Sequence, residues 1–273
     1  MRARARLALR AEQAIGLRAL PLRSAVPVVE TAPRAAGSAS SEQAVQAVVD
    51  LFGKPQIQQG RGALPTLDVL APAAASRQEK LAMLRELDAN EVAVCTKCRL
   101  CEQRTRTVFG EGDPDAKIMF IGEGPGENED RQGRPFVGRA GQLLDTMIVG
   151  MGLKREQAYI ANIVKCRPPG NREPSPDEVA TCAPYLARQI EIIRPKVIVT
   201  LGRPAAQHML ATKISISKIR GQWQTWRGIK LMPTFHPAYI LRNYTSETRA
   251  AVWDDLKKVL AELGLAVPSR KKN

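Results

Sequence analysis

Several things are scarce in this sequence. Aromatic residues make up 4% of its 273 positions, and histidine occurs twice. No run approaches the ~18 consecutive apolar residues of a membrane span, so a membrane is not an expected partner. Residues 1–20 do not read as a secretory signal, because Arg10, Glu12 and Arg18 interrupt what would be its apolar core. Cysteine is limited to an odd count of five, which without an export signal argues against a disulfide framework. Neither a G-x-G-x-x-G fingerprint nor a GK[ST] phosphate loop occurs, which removes the commonest nucleotide-binding motifs. Acids are short as well: 27 Asp and Glu face 41 Lys and Arg, a formal charge of +14. An excess of that size suggests a polyanionic partner.

Where the charge sits weakens that argument. Residues 1–40 hold seven Arg against Glu12 and Glu30, and Arg270, Lys271 and Lys272 close the chain, which leaves an excess of six for residues 41–264. The Arg-rich start reads either as a transit peptide or as a basic bacterial tail. Residues 25–75 are rich in Ala, Pro, Ser, Gln and Gly, so residues 1–76 are expected to form a largely disordered extension, with a short helix at Ser41–Phe52. The globular domain is expected over 77–264, followed by a basic tail at 265–273.

All five cysteines, 95, 98, 101, 166 and 182, lie inside that domain. Cys95 and Cys98 form a C-x2-C pair, Cys101 extends it by a further x2, and Cys166 and Cys182 stand well downstream. In a reducing compartment this reads as a metal site, zinc or iron–sulfur, and spacing alone does not choose the metal or the spare cysteine. The missing fourth cysteine of the C-x2-C-x2-C run excludes a ferredoxin loop.

Hydrophobic periodicity alternates between strand and helix. Lys117–Gly122, Tyr159–Val164 and Val197–Leu201 read as buried strands, and Trp223–Trp226 with Ile229–Pro233 as a hairpin around Arg227-Gly228. Between them, Leu143 to Met151, Val179 to Ile193, Pro204–Leu210 and Trp253 to Leu263 keep helical spacing, the second opened by Ser175, Pro176 and Glu178. The pattern predicts a three-layer α/β/α fold with a mostly parallel central sheet. In such sheets sites gather beyond the carboxyl ends of the strands, here residues 122–138, 162–172 and 234–243.

Those loops hold the candidate chemistry. Gly122 and Gly124 permit close backbone approach, and Glu123 reads as an active-site carboxylate. The neighbouring Glu127, Glu129 and Asp130 read with it as an acidic cluster that repels phosphate. Phe136, in a Gly/Pro-rich loop, is a candidate stacking platform. Asn162 ends an otherwise apolar strand and offers one donor and one acceptor to a planar edge. Arg167 and Arg172 sit in a stiff basic loop suited to phosphates. His236 follows a strand and can stabilise a developing anion, whether neutral or cationic, and Leu241 beside Arg242 forms an apolar wedge next to a cation. His208, on an apolar helix, reads as structural.

Taken together and in order, Gly122-Glu-Gly-Pro-Gly126, Pro135-Phe-Val-Gly138, Asn162-Ile-Val-Lys-Cys166 and His236-Pro-Ala-Tyr-Ile-Leu-Arg-Asn243 resemble the type 4 uracil-DNA glycosylases. The resemblance spans about residues 93–262. It implies hydrolysis of the N-glycosidic bond of uracil in single- or double-stranded DNA by base flipping, as a first step of base excision repair. It also implies a structural [4Fe–4S] cluster on Cys95, Cys98, Cys166 and Cys182, with Cys101 free. Phe136 would stack on the base, Asn162 would read its edge, and His236 would meet the developing oxyanion. Gly124 occupies the position where family 1 enzymes carry a water-activating Asp, which leaves the role of Glu123 open. The expected protein is a cytoplasmic monomer, with organellar targeting by the N-terminus an alternative. A non-catalytic iron–sulfur DNA-binding or polymerase-associated module is the second reading.

Overall fold

The computed structural model describes residues 75–268. The helix expected at Ser41–Phe52 lies outside the described residues. In chain order the elements are α1 (Arg77–Leu87), β1 (Glu111–Gly112), β2 (Ile118–Gly122), α2 (Glu127–Gln132), α3 (Arg139–Gly150), β3 (Tyr159–Asn162), α4 (Pro176–Ile193) and β4 (Val197–Leu201). They continue with α5 (Arg203–Met209), α6 (Ile216–Ile219), β5 (Gln224–Trp226), β6 (Ile229–Thr234), α7 (Pro237–Arg242) and α8 (Ser246–Glu262). A π-helical turn at Asp88–Val92 and a 3-10 turn at Arg99–Glu102 lead α1 into the cysteine segment.

Local chemistry explains most boundaries. Ser76 caps α1: its Oγ accepts from the Glu79 N–H at 3.3 Å, and Glu79 Oε2 accepts from the Ser76 N–H at 2.7 Å. Pro176 opens α4 where its missing N–H costs nothing, and Glu178 accepts from the Ser175 N–H at 2.8 Å. Arg227 and Gly228 both adopt positive φ, 45° and 84°, the conformation that a tight turn between β5 and β6 requires.

The six strands form one sheet in the order β1-β3-β2-β4-β6-β5. The four central strands are parallel, and the two edge strands pair antiparallel. Side chains alternate across the sheet. Met119, Ile121 and Ile198 join the core beneath α1, α4 and α5, whereas Ile118, Phe120 and Val199 join the core beneath α3 and α8. The result is the expected three-layer α/β/α arrangement. β3 ends at Asn162, two residues short of the Val164 boundary read from periodicity. Beyond it the chain leaves the ladder and hydrogen-bonds to the turn after β2: Ile163 N–H to the Gly122 carbonyl at 3.0 Å, Val164 N–H to that of Glu123 at 3.2 Å.

This topology sets the carboxyl ends of β2, β3, β4 and β6 side by side, at Gly122, Asn162, Leu201 and Thr234. The chain segments that leave those four ends build the site. No helix among the described residues is long and apolar enough to cross a membrane.

Candidate active site and cysteine centre

A cleft of about 790 Å³ opens over these strand ends, lined among others by Glu123, Gly124, Phe136, Asn162, Gly202, Arg203, Phe235, His236, Tyr239 and Arg242. Its floor is a close contact of three residues. A Cβ on Gly122 would stand 2.4 Å from Asn162 Oδ1 and 2.5 Å from Phe136 Cζ, so only glycine lets the amide and the ring meet over the backbone. The Phe136 backbone sits at φ 52°, rarely used by a residue with a side chain. Two neighbours hold it there. Glu129 Oε1 accepts the N–H groups of Val137 (2.9 Å) and Gly138 (2.8 Å), and Gly141 in α3 lies so near that its Cβ would be 1.9 Å from the Phe136 carbonyl oxygen.

Asn162 is buried, and its Oδ1 has no hydrogen-bond partner. A buried acceptor left open costs ~1–3 kcal/mol, a cost that a donor brought by a ligand would relieve. Across from it the His236 ring lies 5.7 Å from the Phe136 ring, centroid to centroid. His236 caps α7, its Nδ1 accepting from the Ala238 N–H at 3.0 Å. That bond places the ring proton on Nε2. Burial, reinforced by Arg242, lowers the imidazole to about 4, so the ring is a neutral donor at physiological pH. The strand end before it is fixed from behind: Thr234 Oγ1 donates to buried Asp255 at 2.7 Å, Arg220 pairs with the same carboxylate, and its guanidinium covers the Phe235 ring.

Glu123 also lines the cleft. Burial, with the Glu173 carboxylate adding to it and Arg203 opposing, raises its carboxyl to about 7. The neighbouring acids do not form the cluster that the sequence implied. Asp130 is buried and accepts the Thr105 N–H at 2.9 Å, and Glu129 holds the Phe136 loop, so both are spent on backbone. Of the basic residues, Arg167 donates to Asn171 and lies 3.5 Å from Glu127, and Arg242 is exposed at the end of α7. Arg172 lines the cleft, but its fork is committed to Glu178, at 2.6 and 2.8 Å. Leu241 is half-buried on α7 beside Arg242. His208 lies on α5, and burial lowers it to about 4 as well.

Sequence reasoning missed four contributors: Gly202, Arg203, Glu129 and Asp255. Gly202 adopts φ 90° directly after β4, and a Cβ there would stand 2.9 Å from His236 Cβ. Its place after a strand was a usable signal; the long-range partners of Glu129 and Asp255 were not.

The five cysteines line one further cavity, together with Arg104, Lys165 and Tyr185. Cys166 and Cys182 are buried in the core beneath α4, Cys95 and Cys98 pack against it, and Cys101 does not. Three of the four packed sulfurs receive a hydrogen bond: Arg104 to Cys166 at 3.3 Å, the Lys165 N–H to Cys182 at 3.2 Å, and the Tyr185 hydroxyl to Cys95 at 3.4 Å. Among the described residues no three His, Cys, Asp or Glu converge closely enough to share one metal ion. Glu178 ties this centre to the cleft, because its buried carboxylate holds both Arg172 and Arg99, the latter next to Cys98. Those contacts keep the carboxyl far below the usual carboxylate range.

Comparison with known proteins agrees with this geometry. The family model of the uracil DNA glycosylase superfamily matches residues 109–257. The type-4 uracil-DNA glycosylase of Thermotoga maritima is 51% identical over 177 residues, which cover 64% of this chain and 92% of that protein. The type-4 enzyme of Sulfurisphaera tokodaii is 50% identical over 178 residues, covering 62% and 80%, and that of Saccharolobus solfataricus 49% over 183 residues, covering 64% and 84%.

Proposed function

The chain belongs to the type-4 uracil-DNA glycosylases of the uracil DNA glycosylase superfamily, an assignment that makes it a DNA-repair enzyme excising uracil, and we propose that His236, Asn162, Phe136 and Glu123 carry the reaction. The observation that carries this reading is the open, buried Oδ1 of Asn162 beside the Phe136 ring. A flipped uracil stacked on Phe136 supplies what that oxygen lacks, an N3–H donor, while the amide N–H meets O4. Cytosine offers the opposite order of donor and acceptor, and leaves the buried amide mismatched twice.

As the glycosidic bond breaks, negative charge grows on the uracil and positive charge on the sugar. The Nε2–H of neutral His236 donates to O2 as that oxygen becomes anionic, an interaction that strengthens only toward the transition state. Glu123 exchanges its proton near neutral pH, so it accepts from a water and aims it at the cationic sugar carbon. Arg167, Arg203 and Arg242 meet phosphates around the cleft, and Leu241 fills the gap that the flipped nucleotide leaves. Arg172 acts one step back, holding the 167–173 loop to α4 through Glu178.

The cysteine centre fits a [4Fe–4S] cluster on Cys95, Cys98, Cys166 and Cys182. Hydrogen bonds aimed at three of those sulfurs suit anionic thiolate ligands, the form in which cysteine holds an iron–sulfur cluster. Bound there, the cluster would supply a rigid cross-link between the residue 95–101 segment and α4, with no part in bond cleavage. Uracil release from a labelled single-stranded oligonucleotide tests the function. Free uracil with an abasic product is the expected result, and tight DNA binding without release would favour the non-catalytic module.

A further inference from the structure

Lys165 has a place in this molecule that base excision does not by itself call for. Its side chain is 1% exposed, in a chain that otherwise leaves its lysines at least partly in solvent among the described residues. Nζ donates to the main-chain carbonyl of Asn162 at 2.8 Å and to Gln189 Oε1 at 2.6 Å. An ammonium has three N–H donors, and these two acceptors leave one over. Among the described residues it forms no ion pair with a carboxylate; burial works against its charge, and Cys182 first and then Asp88 favour it electrostatically. A buried cation without an opposite charge is costly. Lys165 also lines the cysteine cavity with Cys166 and Cys182, and its own backbone N–H donates to Cys182 Sγ.

The same residue sits in a strap between two sites. From Asn162 to Cys166 every linking residue is tied: Ile163 and Val164 to the turn at Gly122 and Glu123, Lys165 to Cys182 through its N–H and to the Val108 N–H through its carbonyl at 2.8 Å. One end of the strap reads the base and the other binds the metal centre.

We propose that Lys165 is a positioning residue that couples the two, its ammonium clamping the backbone of Asn162 while the anionic sulfurs of the filled cysteine centre provide its counter-charge. The proposal rests on the cluster reading above and adds that filling the centre sets the uracil-reading backbone through this one side chain. Removing the charge uncovers the sulfurs to attack; removing the donor frees the Asn162 carbonyl.

The two effects separate in two variants of the full chain. Lys165→Met lacks both charge and donor, whereas Lys165→Gln lacks the charge but keeps an N–H for the carbonyl. Iron per chain, the rate of iron loss to a ferrous chelator, and the affinity for free uracil are measured on each. Outer-shell partners of metal ligands are worth ~10–100-fold in metal affinity, so both variants should lose iron on the order of tenfold faster or more. Only Lys165→Met should also bind uracil weakly; if it does not fold, Lys165→Gln against wild type carries the charge test alone. An iron-free wild type contradicts the cluster reading. An iron-loaded wild type whose Lys165→Gln variant holds iron equally well, a folded Lys165→Met variant that binds uracil as tightly as the wild type, or a Lys165→Gln variant that binds uracil as weakly as Lys165→Met, overturns the role assigned to Lys165.

Discussion

Replacing Gly122 with alanine is the sharpest steric test of the proposed base-reading floor. The added methyl would stand 2.4 Å from Asn162 Oδ1 and 2.5 and 2.8 Å from two Phe136 ring carbons, against a comfortable separation of ~3.5–4.0 Å. About 1 Å must therefore be found, and the neighbours have little to give. Phe136 already holds a positive φ, its carbonyl abuts Gly141, and the next two amides are fixed to Glu129. Asn162 terminates a strand that pairs on both sides. Overpacking of this kind costs ~1–3 kcal/mol; charged against the reading geometry, it slows single-turnover excision on the order of 5- to 150-fold. Gly150→Ala serves as the control, because its methyl would meet only Trp253 Cζ3, at an ordinary 3.6 Å. Uracil release from a labelled oligonucleotide at saturating enzyme, with thermal unfolding on the same samples, distinguishes the cases. A folded Gly122→Ala enzyme that works at the wild-type rate would refute the floor as described.

Free uracil should raise the melting temperature of the wild type and leave Asn162→Ala unmoved, since the proposed reading has the base complete the open Oδ1; an equal shift in both would remove Asn162 as the reader. Glu178→Gln should cost about 2 kcal/mol, the scale of hydrogen bonds to a charged group, and should speed iron loss and weaken DNA binding together, because Arg99 and Arg172 share that carboxylate; loss of one without the other would separate the two loops. Stability should also depend on pH in two opposed ways. His236 and His208 fall from 6.5 to about 4 on folding, so they cost stability progressively as pH drops from 6.5 toward 4. Glu123 rises from 4.5 to about 7, so its contribution is complete below 4.5 and is lost as pH rises through 7. Denaturant midpoints should show Glu123→Gln gaining on the wild type across that interval, and a constant difference from pH 4.5 to 8 would show an ordinary exposed carboxylate.

The central strands were legible because each is a short apolar run with a glycine or turn after it, and α4 because Ser175, Pro176 and Glu178 announce its start. β1 was not, since two residues carry no periodicity. The candidate residues of the cleft could be found because parallel strands deliver their following loops to one edge. What that rule does not give is pairing across the fold. Glu129 and Asp130 look like loop acids in the sequence, yet each answers backbone N–H groups 8 to 25 residues away. Arg172 looks free for a phosphate until α4 brings Glu178 beneath it. The neutrality of His236 was equally invisible, because it depends on burial and on the Ala238 N–H that its own helix turn presents.

That neutral imidazole is the core of the account, and single-turnover uracil release by His236→Ala tests it most directly. Removing one oxyanion donor costs ~10²–10³-fold in rate. The variant should fall by that amount with substrate binding retained, and the wild-type rate should not drop between pH 5 and 6.5, where a cationic donor would begin to lose its proton. Wild-type release by the variant, or a wild-type rate that declines across that interval, would contradict it.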